Sequence, residues 1–580
     1  MSRFFSTLAV ISRLALPYFR SEDRWPGRIL LAAVIGIELG IVAITVLVNS
    51  WNNRFYNALQ ERNWDAFVSE LLYFCGLAAI FIVLAVYQLY LNQWLQIRWR
   101  RFMTERYLEG WLDHANHYRM QLLGDGADNP DQRIAEDIKS FVESTLSIGI
   151  GLLSSIVTLG SFIVILWSLS EAAPLHLFGA PLPIPGYLVW AALIYAAVGT
   201  WLTHLIGRPL IGLNFMQQRY EADFRFDLVR VRENAEQIAL LRGEAAERDR
   251  LNGRFTFVVG NWIAIMKRQK KLTSFTAGYN QFSNVFPFIV VSPAYFANAI
   301  QLGALMQTAS AFGSVQGALS FFVSSYRQIA EWRAVVERLD GFERAIAAGH
   351  AAADAQPAIG VAARSGAATV AVEGLDVRLP DGQTLVAADR LAFAPKDRVL
   401  ISGPSGAGKS TLFRAIAGIW PFGSGTVAIP AGARLMVLPQ RPYLPIGTLG
   451  AAIAYPSLPE SLDAEKIRRV LADVGLPHLA PRLDEEAHWA RMLSPGEQQR
   501  LGIARALLQA PDYLLLDEAT ASLDEAAEAG LYRLLDERLP HTAIVSIGHR
   551  STLEAFHRRR LLLTRAARGY AVGDTAAATA

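Results

Sequence analysis

Apolar positions in the first 330 residues neither alternate nor keep to one helix face. They run unbroken in six stretches, each long enough to cross about 30 Å of hydrocarbon. These are Arg28 to Val48, Leu71 to Leu91, Thr145 to Ser168, Tyr187 to Ile206, Phe282 to Ala299 and Ser310 to Arg327; the fifth and sixth carry Pro287, Pro293 and several polar side chains. The connections 169–186 and 300–309 hold no Lys or Arg, whereas 92–144 and 207–281 hold many, including Arg98, Arg100, Arg101, Lys267, Arg268, Lys270 and Lys271. That bias places both termini in the cytoplasm, and outvotes the 49–70 loop, where Arg54 and Arg62 stand among Glu61, Asp65 and Glu70. The leading "MSRFFSTLAVISRLALPYFRSEDRWPGR" is broken by Arg13 and lacks a small-residue cleavage site, so it reads as an amphipathic helix on the membrane surface.

The pattern changes after Phe342. "ERAIAAGHAAADAQPAIGVAARSGAA" (343–368) is too poor in large apolar residues to bury much and reads as a tether. From Thr369 short strands such as "VLIS" (399–402) and "YLLLD" (513–517) lead into turns or helices, the pattern of an α/β domain. Composition agrees: 52% hydrophobic against 18% charged residues over 580 positions demands a membrane part. A net charge of +3 gives no basic field for nucleic acid, and the lone cysteine, Cys75, excludes disulfides, CxxC zinc sites and thiol redox chemistry. Within its apolar run Cys75 is expected to be a small packing residue. Glu38, the one acidic residue well inside the first run, is expected to face a cavity or a polar partner rather than lipid.

"GPSGAGKST" sits between a strand and a helical run, the setting of a phosphate-binding loop. Gly403, Pro404, Ser405, Gly406, Ala407, Gly408, Lys409, Ser410 and Thr411 compose it. Its backbone N–H groups would wrap phosphates, Lys409 would bridge them, and Ser410 would hold Mg²⁺. "YLLLDE" ends a buried strand in two carboxylates, Asp517 to orient the Mg²⁺ shell and Glu518 to polarise water as general base.

Together these motifs resemble the nucleotide-binding domain of ABC transporters, from about Thr369 to Arg565. The resemblance implies ATP and Mg²⁺, and it carries over further residues. Leu493, Ser494, Gly496, Glu497 and Gln499–Arg500 match the signature, with Pro495 where Gly is usual and Glu497 where Gln is frequent. Gln440 matches the Q-loop and so a metal ligand, Ser522–Leu523–Asp524 the D-loop and His549 the switch histidine, while no aromatic stands near Leu379 to stack on adenine. In that family the signature caps the nucleotide held by a partner domain, so one loop and one signature per chain imply a homodimer with two composite sites.

"NSWNNRFYNALQ" (49–60), "NPDQRIAEDI" (129–138), "FRFDLVRVRENAEQIALLRGEAAE" (224–247) and "LGALMQTASAFGSVQGALSFF" (302–322) resemble the SbmA/BacA-type membrane domain fused to an ATPase, related to the ABCD fatty-acyl half-transporters. The implied architecture is a polytopic α-helical membrane domain with six spans in the exporter-type ABC fold, plus an α/β P-loop ATPase domain. Its divisions are an amphipathic segment 1–27, a membrane domain 28–343, a linker 344–368, a nucleotide-binding domain 369–565 and a low-complexity tail 566–580. The charged stretches 113–135 and 224–245 suit coupling helices, and Ser310, Gly313, Ser314, Gly317, Ser320 and Ser324 form a stripe that either lines a hydrated cavity or packs helix on helix. The expected function is ATP-driven uptake of peptides or other hydrophilic solutes, cobalamin-like molecules among them, across a bacterial inner membrane. Export of drugs, lipids or peptides and transport of fatty acids or acyl-CoA are the alternatives.

Overall fold

The computed structural model describes residues 2–124, 129–172, 175–177, 180–182, 184–321, 325–354, 358–458 and 462–574. The chain divides into two units, Met1–Tyr107 with Asn129–Asp340, and Leu108–Asp128 with Gly341–Ala580.

In the first unit the first four apolar runs each lie within a longer helix, and the fifth ends the helix Glu244–Phe296. After α1 (Ser2–Ala15) come α2 (Arg24–Gln60), α3 (Trp64–Leu112), α4 (Asn116–Leu123, which belongs to the second unit), α5 (Ile138–Ala172), α6 (Tyr187–Glu233), α7 (Ala235–Leu240), α8 (Glu244–Phe296), α9 (Leu302–Leu319) and α10 (Tyr326–Asp354). The helices at 24–60, 64–123, 130–172 and 187–233 are long and apolar enough to cross a membrane. The α2–α3 turn shows how tightly the chain reverses. Arg62 takes a left-handed φ of 56°, Asn63 N–H closes back on Ala58 O at 2.9 Å, and Asn63 Oδ1 accepts Ala66 N–H at 3.1 Å to start α3.

The sixth run is displaced from its expected bounds. The helix covers 302–319, not 310–327, so most of the expected 300–309 connection is helical; Ser324 lies outside the described residues. The cause lies on α2, whose polar end caps α9. Gln60 Oε1 accepts Leu302 N–H at 2.7 Å and Asn57 Oδ1 accepts Gly303 N–H at 2.8 Å, which satisfies donors that a helix start leaves free. Asn53 Nδ2 reaches Gln307 Oε1 at 2.7 Å, and a Cβ on Gly303 would stand 2.0 Å from Asn53 O, so only glycine permits the approach. Lower apolarity in α9 follows from its cover: it packs on α2, α5, α6 and α8, and buries Leu305, Thr308, Ala311, Phe312 and Val315. On the opposite face an added Cβ at Gly313 or Gly317 would meet nothing within 4 Å, while Ser310, Ser314 and Ser320 of the small-residue stripe are half-buried.

Two other expectations change. Cys75 is exposed on the outer face of α3, among Leu72, Ile80 and Val83, because that face has no neighbouring helix among the described residues. The leading segment is helical as α1, but its end and the turn after it are packed: Leu14 and Tyr18 are fully buried, and Tyr18 stacks on Trp99 at 5.9 Å. Glu38 meets Gln88 of α3, whose amide donates to its carboxylate. Glu38→Gln is therefore expected to keep the melting temperature in detergent, whereas Glu38→Leu, which strands the Gln88 amide, should cost about 1–3 kcal/mol of stability. Equal melting of the two variants would exclude the tie.

The quoted membrane motifs become ion-pair anchors. Asp137, 3% exposed, accepts from Arg133 at 2.7 Å and from Arg338 at 2.6 Å, which ties the foot of α5 to α10. Asp227 on α6 holds Arg250 and Arg254 of α8 at 3.3 and 3.2 Å. The hairpin they brace carries α7, whose end leaves Leu240 and Leu241 exposed.

In the second unit ten strands form one sheet in the order β3-β7-β4-β5-β14-β13-β6-β12-β11-β8. They are β3 (Ile359–Arg364), β4 (Val370–Arg378), β5 (Thr384–Phe393), β6 (Arg398–Ser402), β7 (Gly423–Pro430), β8 (Leu435–Leu438), β11 (Tyr513–Asp517), β12 (Ala543–Ile547), β13 (Arg559–Arg565) and β14 (Tyr570–Asp574); β9 (Gly447–Thr448) and β10 (Glu486–Ala487) pair separately. The parallel run β13-β6-β12-β11-β8 forms the buried centre, so β6 and β12 are apolar almost throughout. The expected tether 344–368 is ordered in its described parts. Helix α10 continues to Asp354, and 359–364 adds β3 beside β7. The tail likewise supplies β14. β3 stands at the sheet edge and β14 between β5 and β13; main-chain bonds hold both, so small Ala and Gly residues suffice there. Helix α4 packs on this domain, with Leu122 against its core and Asn116 Nδ2 donating to Ile346 O at 3.1 Å.

Candidate nucleotide site

Strand β6 is wholly buried and delivers the chain to a loop that only glycine can form at its last turn. Gly408 has φ 90°, and a Cβ there would stand 2.6 Å from Val386 Cγ2. The helix Lys409–Ile416 starts immediately after, so Gly403 to Thr411 place their N–H groups around a helix N-terminus, where anions bind. The Lys409 ammonium donates to Gly403 O at 3.0 Å and Pro404 O at 2.9 Å, folded back over the loop. Burial pulls its pKa below the ordinary lysine value, with the Glu518 and Asp517 charges opposing that pull.

Strand β11 lies two strands from β6, and its last residue, Asp517, accepts from Ser410 Oγ at 2.8 Å. Burial raises the Asp517 pKa, so this carboxylate lacks full compensation for its charge. Two hard oxygen donors side by side, one carrying an undercompensated charge, fit a Mg²⁺ ion. Glu518 follows in a left-handed conformation, φ 52°, which turns its carboxylate away from the strand. Gln440 Nε2 lies 3.3 Å from one of its oxygens and His549 Nε2 3.2 Å from the other. Three residues from three separate loops, at 440, 518 and 549, thus converge beside Ser410 and Asp517.

Ser494 caps the helix Pro495–Gln509 in a reciprocal box. Its Oγ accepts Glu497 N–H at 3.3 Å, and Glu497 Oε2 accepts Ser494 N–H at 2.9 Å. The Ser494 N–H, then its hydroxyl, hold the Glu497 carboxyl below the usual range. Pro495 fits the first helical position, where no N–H is required by the helix. Gly496 packs against Leu523 and Ser522, and Ser494 bonds within its own box, so the described contacts of this turn lead to neither Lys409 nor Ser410. One connection is not visible in the motifs taken singly. Gln499, 2% exposed, donates to Gln440 O at 3.0 Å and accepts Ser522 N–H at 2.8 Å, and only its mixed polarity on a helix otherwise apolar at that face signals it.

Comparison with known proteins places both units. The family described as ABC transporter transmembrane region 2 matches residues 14–296, and the ABC transporter family matches 388–521. The inner membrane ABC transporter ATP-binding protein YddA of Escherichia coli is 33% identical, covering 92% of this chain and 94% of its own. The chloroplastic ABC transporter D family member 2 of Arabidopsis thaliana is 32% identical over 96% of this chain and 86% of its own. A solved bacterial Atm1-family ABC exporter with ATP bound shares the fold, with a TM-score of 0.70 over 93% of each chain at 19% identity.

Proposed function

This chain belongs to the ABC transporter family, a membrane protein whose ATP-binding domain drives transport, and we propose that it is a homodimeric half-transporter that takes up peptides or other hydrophilic solutes across a bacterial inner membrane. The observation that carries the ATPase half is the convergence of Gln440 and His549 on Glu518 beside the Ser410–Asp517 pair. In the proposed reaction the 403–411 loop and Lys409 hold the triphosphate, and Glu518 orients and deprotonates the attacking water. His549 steadies the γ-phosphate and Glu518. Ser410 and Asp517, with the Gln440 amide oxygen, would hold Mg²⁺, which when bound neutralises phosphate charge.

The dimer reading is supported by the turn at Ser494, whose contacts leave its N-terminal face free of its own phosphate loop. With Pro495 lacking an N–H, the Gly496 N–H remains to meet the partner's γ-phosphate, and the Ser494 hydroxyl would join it by leaving Glu497 Oε2, to which it donates at 2.8 Å. Helices α4 and α7 serve as coupling helices in this reading, supported for α4 by the packing of Leu122 on the nucleotide-binding domain. Hydrophilic cargo is supported by the open face of α9 with Gly313 and Gly317, flanked by Ser310 and Ser314. The kinship to a protein named as an inner membrane transporter supports the location.

The fold is shared with a protein named as an exporter, so direction requires its own measurement. Cells producing the protein should accumulate labelled peptide or cobalamin, and cells producing Glu518→Gln should not. ATP-dependent accumulation in inside-out vesicles instead would reverse the direction, and acyl-CoA transport without peptide uptake would replace the cargo.

A further inference from the structure

The loop 521–524 lies just beyond Glu518 and is built from tight turns: Ala521 N–H bonds Glu518 O and Leu523 N–H bonds Thr520 O, both at 3.1 Å. Two peptide units of this loop, 521–522 and 523–524, are gripped by side chains from elsewhere. On one side Gln499 accepts the Ser522 N–H at 2.8 Å while its amide holds Gln440 O at 3.0 Å. On the other side Arg550, next to His549, donates to Leu523 O at 2.7 Å and to Ala521 O at 3.2 Å. Arg550 is fixed in turn by Glu528, which is 2% exposed, lies 3.4 Å from the guanidinium and accepts Thr520 Oγ1 at 2.6 Å.

We infer that Arg550 and Gln499 form a two-sided clamp that makes the 521–524 loop follow the positions of His549 and Gln440, and so are positioning residues for hydrolysis. Each clamp residue is bonded or adjacent to one of the two side chains that touch Glu518. A shift of either around bound nucleotide therefore moves the 521–522 and 523–524 peptide units, and a slack clamp leaves Glu518 at the end of an unguided turn. A forked guanidinium can hold two carbonyls and a carboxylate together, which an ammonium cannot. The inference rests on the proposed roles of Glu518, Gln440 and His549.

The test uses the full chain in lipid nanodiscs and reads kcat and KM for ATP together with the melting temperature. Arg550→Lys keeps the charge opposite Glu528 but loses the fork; it should lower kcat about tenfold while KM stays within about twofold and melting within a few degrees. Gln499→Met, close in volume, should show the same split. Glu528→Gln leaves the carbonyl bonds in place and should keep kcat near wild type. Should Arg550→Lys destabilise the chain, Arg550→Met paired with Glu528→Gln removes both charges together and should still show the low kcat with near-normal melting. Wild-type kcat in Arg550→Lys, or kcat falling only in step with melting across the set, overturns the clamp. Glu518→Gln runs alongside: normal turnover there would remove the site reading itself, whereas an inactive Glu518→Gln beside a fully active Arg550→Lys would remove the clamp alone.

Discussion

Glu518→Gln is expected to bind ATP with unchanged affinity and to hydrolyse it about a thousandfold more slowly, within the range removed with a positioned general base. In the proposed reaction the phosphate contacts fall to Lys409 and the 403–411 loop, none of which the substitution touches. Glutamine is isosteric, accepts the left-handed φ of 52° no worse than glutamate, and still reaches Gln440 and His549. What it loses is the basic oxygen that takes a proton from water. Nucleotide affinity measured with a fluorescent ATP analogue, beside single-turnover hydrolysis, separates the two effects. Turnover within tenfold of wild type would take Glu518 out of the role.

Ser494→Arg should lower ATPase activity by at least about a hundredfold, because a bulky cation replaces a hydroxyl at a preorganised phosphate contact. The loss should arise in the partner's site. Lys409 and Ser410, with no described contact to Ser494, should still bind nucleotide. Ser494 also caps its helix, and cap loss alone costs about 1 kcal/mol, so Ser494→Asn is the control: asparagine caps as well as serine and should preserve melting. The decisive measurement mixes chains. A heterodimer of Ser494→Arg with Lys409→Ala places both lesions in one composite site and leaves the other intact, so it should regain activity that neither homodimer has. Full-rate hydrolysis by isolated Ser494→Arg monomers would end the two-chain reading.

Motifs whose chemistry is local were legible along the chain. The phosphate loop is a contiguous stretch because successive backbone N–H groups must wrap one anion, and Asp517–Glu518 announces itself because two carboxylates rarely end a buried strand. The first four apolar runs were equally plain, since hydrocarbon imposes a length and excludes charge over that length, and they lie in the four helices long and apolar enough to cross a membrane among the described residues. The bounds of the sixth were not. Helix α9 begins at Leu302 because Gln60 and Asn57, some 240 positions earlier, supply the caps, and no local pattern in 300–309 records that.

The same division runs through the rest of the chain. Sequence alone determined that this protein joins membrane-spanning helices to a P-loop ATPase, because helix length, apolarity and a phosphate cradle are properties of consecutive residues. Tertiary structure alone decided that parts of the supposed tether and tail become β3 and β14, since both strands are fixed by main-chain bonds to neighbours rather than by their own side chains. It also decided that Cys75 points outward from α3, and that Glu38 finds Gln88. The meeting of Gln440, Glu518 and His549, with Gln499 and Arg550 behind them, belongs to the same class. Gln440, Glu518, His549 and Arg550 stand on loops brought together by the parallel order of β6, β12, β11 and β8, and Gln499 on the helix Pro495–Gln509. Strand order sets distances between residues a hundred positions apart, and the one-dimensional spacing of the motifs does not contain it.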